Sequence, residues 1–168
     1  NRIPQERLFD AKCGVAGKLN LEGSSGDAAR SAAALLETGT DRFTLHADAF
    51  TRRSGDVAVP IALACEKPGA PTLANAICNS SAQAQGGAIG GSLFFGHSRL
   101  GASVSNYTSD YGTVAEDAVT IGMRSNRVAL EWDLDQLPGW IQSVKLRASQ
   151  SDYQHTEYEG GEAGTVFK

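Results

Sequence analysis

Phe43-Thr44-Leu45-His46-Ala47-Asp48-Ala49-Phe50-Thr51-Arg52 decides how this chain is read. An extended backbone turns successive side chains to opposite faces. Phe43, Leu45, Ala47 and Ala49 therefore share one side, while Thr44, His46, Asp48, Phe50 and then Arg52 take the other. That alternation predicts a strand with one apolar and one polar face. Just before it, Gly39-Thr40-Asp41 supplies a turn, preceded by an Ala-rich stretch from Ala29 to Thr38. Propensity alone would let Ala28 to Leu36 form a helix. Its position between two clear strands with short connections favours a second strand. Farther upstream, Val15, Leu19 and Leu21 alternate with Lys18, Asn20 and Glu22, and Gly23-Ser24-Ser25-Gly26-Asp27 follows as a turn or loop.

Downstream of Arg52 the stretch from about 54 to 85 is rich in Pro, Ala, Asn and Ser and predicts a long irregular loop. Ala88 to Phe95 is another strand, and Gly96-His97-Ser98-Arg99 a tight turn. Leu100, Ala102 and Val104 alternate with Gly101, Ser103 and Ser105 toward Tyr107, and Tyr111 to Asp117 predicts a second loop. A long hairpin closes the chain: Val119 to Leu134 outward, Asp135-Gln136-Leu137-Pro138-Gly139 as its turn, Trp140 to Glu159 returning. Val128, Leu130, Trp132 and Leu134 oppose Arg127, Glu131 and Asp133. On the return, Val144, Leu146 and Ala148 oppose Lys145, Arg147 and Ser149.

The fold class this predicts is all-β: an antiparallel up-and-down transmembrane β-barrel, of which about seven strands lie in this chain. Connections alternate between short and long, as the turns and loops of outer-membrane barrels do. The apolar stretches are close to the roughly 9–11 residues that a tilted strand needs to cross a bilayer. Charged residues on the opposite face need a wet interior, and Trp132 and Trp140 beside one turn suit an interfacial aromatic girdle. A soluble sandwich has shorter strands and heavier inward residues.

Composition narrows the function classes. A net charge of −4 with no basic stripe argues against nucleic acid as a partner. No apolar run approaches the roughly 20 residues of a transmembrane helix. The opening at Asn1 and the ending at Val166-Phe167-Lys168 read as cuts through a longer protein. Cys65 and Cys78 flank a short loop, which predicts a disulfide in an oxidising compartment. Cys13 is then left without an evident partner. The alternative is three free thiols in a reducing cell.

Asp110-Tyr111-Gly112-Thr113-Val114, Ile121-Gly122-Met123-Arg124-Ser125-Asn126-Arg127 and Asp152-Tyr153-Gln154-His155-Thr156-Glu157-Tyr158-Glu159 resemble TonB-dependent outer-membrane receptors. The resemblance is closest to the zinc-uptake branch of Neisseria-like bacteria, and Gly164-Thr165-Val166-Phe167 extends it toward a next strand. Asn1-Arg2-Ile3-Pro4 resembles the exit from the plug domain into the barrel. The resemblance implies residues 1–13 as that exit and 14–168 as part of a barrel of 22 strands, with 54–85 as an extracellular loop. It further implies active import of zinc or an iron–siderophore chelate across the outer membrane of a Gram-negative bacterium. Energy would come from the TonB–ExbB–ExbD complex through a plug, with outer-membrane lipid around the wall. A passive porin or adhesin barrel, or a soluble secreted all-β binding module, are the competing classes.

Candidate ligands follow from the alternation. His155, Glu157 and Glu159 share a face, and an imidazole with two carboxylates suits Zn²⁺. The bland alternative is a solvated strand extension. His46 and Asp48 form a similar pair that also fits an ordinary wall facing the plug. Arg124, with Arg127 and the Arg52-Arg53 pair, offers charge for an anionic chelate or for lipopolysaccharide. Gly86-Gly87-Ala88-Ile89-Gly90-Gly91 opens no helix and lacks a following Lys, so strand glycines fit it better than a phosphate loop. No nucleophile elbow is present, so neither an enzyme nor a required cofactor is expected.

Overall fold

The alternating segments all become strands in the computed structural model, which describes residues 2–5, 14–67 and 69–168. They are β1 (Gly14–Gly23), β2 (Arg30–Gly39), β3 (Phe43–Ser54), β4 (Ala58–Ala64), β5 (Leu73–Ala76), β6 (Ala82–Phe95), β7 (Ser98–Thr113), β8 (Glu116–Asp135), β9 (Ser143–Glu159) and β10 (Glu162–Phe167). Among the described residues there is no helix, so the Ala-rich segment is β2, as its flanking turns require. Strands β1-β2-β3-β6-β7-β8-β9-β10 form one antiparallel sheet in that order, and β4 pairs only with β5. The sheet is open. β1 and β10 are its two edges and do not pair with each other.

Several expectations are corrected. The main sheet has eight strands where about seven were expected. The 54–85 stretch is shorter and more ordered than its composition suggests: β3 runs on to Ser54, β6 starts at Ala82, and β4 and β5 form a hairpin between them. The expected loop from Tyr111 to Asp117 is a two-residue turn, Val114-Ala115, because β7 continues through Thr113 and β8 begins at Glu116. Long and short connections therefore do not segregate strictly to opposite ends of the sheet. At the other end, the β8–β9 connection runs from 136 to 142 and includes Trp140, so the return strand starts at Ser143.

The cause of the tight turn lies far away in sequence. Asn79, fully buried and at a positive φ of 56°, sends its side-chain amide to the carbonyl oxygens of Thr113, Glu116 and Val119 at 3.2, 3.0 and 2.6 Å. Buried carbonyls need such partners. Gly112 makes room, since a Cβ there would run into Asn79. The Cys65–Cys78 disulfide closes the β4–β5 hairpin one residue before Asn79. Asp117 ties the two parts together by accepting the Glu66 amide at 2.7 Å. Cys13 lies outside the described residues.

Register makes the alternation two-dimensional. Pairings such as Thr38↔Leu45↔Gly91↔Ala102↔Leu130↔Ala148 keep the apolar sets of adjacent strands on one common face. That face exposes its large residues: Leu19 is 67% accessible, Ile89 64%, and Leu130 52%. Buried positions are mostly polar or charged instead, including Thr44, Ser92, Arg99, Ser109, Glu131, Asp133 and Thr156, against Ile3, Cys65, Cys78 and Ala88 among apolar residues. No second layer covers the apolar face among the described residues. The usual inside-out order of a water-soluble domain is reversed here.

Candidate functional site

The most densely bonded part of the polar face surrounds Arg99. Ser98 and Arg99 open β7, and alternation turns Arg99 to the same side as Asp133 and Glu131 of β8, its partners by register. Its guanidinium donates to Asp133 through Nε at 3.1 Å and through an Nη at 2.5 Å, and to Glu131 at 2.8 Å. All three residues are buried. Two carboxylates on one fork-shaped donor are strong charge-assisted pairs. Arg147 of β9 reaches the outer oxygen of Glu131 at 3.5 Å. The second carboxylate oxygen of Asp133 has no hydrogen-bond partner among the described residues.

Residues 2–5 lie across this cluster. The Pro4 carbonyl accepts from Ser92 Oγ at 2.6 Å and from Arg99 at 3.2 Å. Gln5 donates through its side-chain nitrogen to Glu131 at 2.8 Å and accepts a hydrogen bond from Arg99 at 3.1 Å through its side-chain oxygen. Ile3 is 1% exposed, pressed against the wall. Glycine is what permits that approach: a Cβ at Gly90 would meet the Arg2 carbonyl, and one at Gly101 would meet the Ile3 side chain. Gly90 thus marks a close passage of backbone over the sheet.

Arg2 continues the contact to the third strand, pairing with Asp48 at 3.2 Å. Asp48 also touches His46 Nε2 at 3.1 Å, while His46 Nδ1 meets Glu37 at 2.9 Å. His46 and Asp48 are therefore brought together, as their spacing suggests, and Glu37 joins them from β2 through direct cross-strand pairing. A carboxylate stands against each ring nitrogen, so both nitrogens of His46 are engaged in contacts within the wall.

His155, Glu157 and Glu159 follow one another along the polar side of β9, but among the described residues their ligating atoms do not gather within 4.8 Å of one another. His155 Nδ1 lies 3.1 Å from the Tyr153 hydroxyl, and its ring stacks on Phe167 with centroids 4.3 Å apart. Among the described residues, one set of three ligating atoms gathers within 4.8 Å: Cys65, Cys78 and Asp117. Its sulfurs are bonded to each other, so no thiolate is offered there. Arg124 sits on the apolar side of β8, opposite Thr108 and Gln154, so it does not join His46 and Asp48 on the polar side. His97 is exposed in the β6–β7 turn.

Arg99, Glu131, Ile3, Gly90 and Asn79 escape a reading by residue type. A Ser-Arg after Gly-His looks like a turn, and the carboxylates are only polar positions until register sets them beside Arg99. Compared with models of known protein families and with curated proteins, the chain matches none.

Proposed function

We propose that this sheet is part of the wall of an outer-membrane β-barrel, a TonB-dependent receptor of a Gram-negative bacterium that imports zinc or an iron chelate. The observation that carries the membrane part is the oblique course of the apolar band. On β1 the band extends up to Leu21, which shares its row with Ala32, Thr51, Gln85, Thr108, Arg124 and Gln154. On β9 it ends at Ala148, whose row leads back through Leu130, Ala102, Gly91, Leu45 and Thr38 to Val15. Strand by strand the upper limit descends through Ala32, Ala49, Gly87, Val104 and Val128.

The limit thus drops six residues, from 21 to 15, over the six pairings between β1 and β9. One residue per strand is about 3.4 Å of rise against a strand spacing of about 4.8 Å, which tilts the strands about 35° from the normal of the band. Strands of membrane barrels cross the bilayer at about 35–45°. A band fixed by a flat slab and strands fixed by barrel shear produce this offset together. A soluble module has no reason for it. Phe43, Phe95 and Trp132 mark the band's lower rim, as an interfacial girdle does.

The polar face then belongs to the lumen, and residues 2–5 lie inside it, which suits a chain passing from a plug into the wall. In lipid the free edges of β1 and β10 need partners, which further strands of the same barrel supply. Energy coupling would run through the plug to the TonB–ExbB–ExbD complex. His155, Glu157 and Glu159 would then lie on the lumenal side of β9, along the path of the cation.

Deleting the coding sequence and measuring accumulation of radioactive zinc and of ferric siderophore in metal-starved cells tests this reading. The expected result is loss of high-affinity uptake of one cargo, with the same loss when an uncoupler collapses the proton-motive force. Uptake that survives the uncoupler makes the barrel a passive porin. Recovery of the protein from the soluble fraction rejects the membrane reading altogether.

A further inference from the structure

On the side of the 55–81 loop the apolar face ends at Arg30 and Arg53, which stand directly opposite each other on β2 and β3. Alternation puts both on the apolar side: Arg30 follows Leu36, Ala34 and Ala32, and Arg53 follows Ala47, Ala49 and Thr51. Like charges facing across a strand pair repel. Among the described residues no carboxylate lies within ion-pairing distance of either. Asp110, in the same row, is two strands beyond Arg53 and accepts a bond from Gln83 at 2.9 Å. Arg124, one row lower on β8, adds a further cation on this face.

Arg30, Ala32, Thr51 and Arg53 are among the residues that line one cleft. Directly below it, Ala34, Ala49, Gly87 and Ile89 line an apolar trough on the same face. A phosphate ester carrying an acyl chain complements a cationic cradle above an apolar trough. We propose that Arg30 and Arg53 bind the phosphate of an anionic membrane lipid whose acyl chain occupies this trough. The inference rests on the membrane reading above. Guanidinium forks match phosphate oxygens in pairs, and one anion between the two arginines removes their mutual repulsion. A free anion would use the arginines and leave the trough bare. A neutral lipid would fill the trough and leave the arginines uncompensated.

The test uses the whole protein with Trp140→Phe, so that Trp132 alone reports, in bilayers of dioleoyl phosphatidylcholine with or without dioleoyl phosphatidic acid. Quenching of Trp132 by brominated acyl chains reports insertion, and native mass spectrometry of lipid adducts reports binding. Phosphatidic acid is expected to be retained over phosphatidylcholine. The double variant Arg30→Ala/Arg53→Ala should weaken that retention about thirtyfold, from two arginines near an anionic surface. Arg127→Ala, on the opposite face, should leave it unchanged, and millimolar inorganic phosphate should not displace the lipid. Quenching with no preference for phosphatidic acid, or with full retention by the double variant, overturns the lipid site and leaves the membrane reading intact. Displacement by inorganic phosphate reduces the site to an anion site and also overturns it. Absence of quenching in every bilayer removes the membrane reading and this proposal with it.

Discussion

The two faces of one sheet follow opposite rules. On the face of Leu19, Ile89 and Leu130, large apolar side chains stand exposed, with no second layer over them among the described residues. On the other, an arginine and two carboxylates are buried beneath four residues of the chain's own beginning. Neighbouring residues of the same strand, such as Trp132 and Asp133, therefore live under different solvation costs. The difference shows that each face is fitted to its own surroundings and that sequence alternation encodes both at once.

Removing the cation from the polar face should have the largest effect. Arg99→Ala leaves Glu131 and Asp133 buried without their shared donor, and stability should fall by about 3–5 kcal/mol. Urea titration in detergent micelles, followed by strand circular dichroism, reads this directly. An unchanged midpoint would mean that water reaches the cluster and that the two faces differ less than their burial suggests.

Next comes a matched pair of insertions, one per face. Ile89→Arg puts a charge into the apolar band and should cost about 2–4 kcal/mol of folding into a bilayer. Ser103→Arg, on the polar side of the adjacent strand, should cost well under half of that. Equal costs would show that the apolar face meets water. Folding yield into phosphatidylcholine vesicles, scored by heat-modified gel mobility, distinguishes the two.

The smallest effect concerns neither face but the β1–β2 connection. A side-chain hydrogen bond from Ser24, with the Ala29 amide assisting at 3.2 Å, holds the Asp27 carboxyl below the ordinary aspartate range. A lowered folded value means that the stabilisation is complete above the unfolded pKa and is lost as pH falls through the folded one. Exchange of the Ala29 amide, corrected for intrinsic rate, should begin to lose protection as pH falls below the ordinary aspartate pKa of about 3.9. Asp27→Asn should abolish that dependence. A pH-dependent profile surviving in the variant would assign it to another group.

Much of this architecture is legible in the sequence because a period of two is a local property. Phe43 to Arg52 announces its two faces unaided, and so do Leu100 to Ser105 and Val128 to Leu134. What is not legible depends on register. Nothing local joins Arg99 to Asp133, since the pairing follows from where β7 and β8 turn, and that turn is set by Asn79 from another loop. Gly90 and Gly101 read equally well as bends, because the peptide that passes over them is remote in the chain. His46 and Asp48 were recognisable as a pair through their spacing, but Glu37 and Arg2 enter from elsewhere. Arg124 fails as their companion for the same reason: a charged residue type says nothing about which side of the sheet it takes.

The seat of residues 2–5 also dictates an order of assembly. Every strand of the main sheet except β6 joins the strand made immediately before it, so the wall grows hairpin by hairpin with short loop closures. Gln5, by contrast, finds Glu131 across 126 positions of chain. Its binding surface does not exist until β8 has docked on β7. Arg2 and Pro4 already have partners on β3 and β6, so it is the completed seat of residues 2–5 that acts as a late checkpoint, one that only a correctly registered wall can pass.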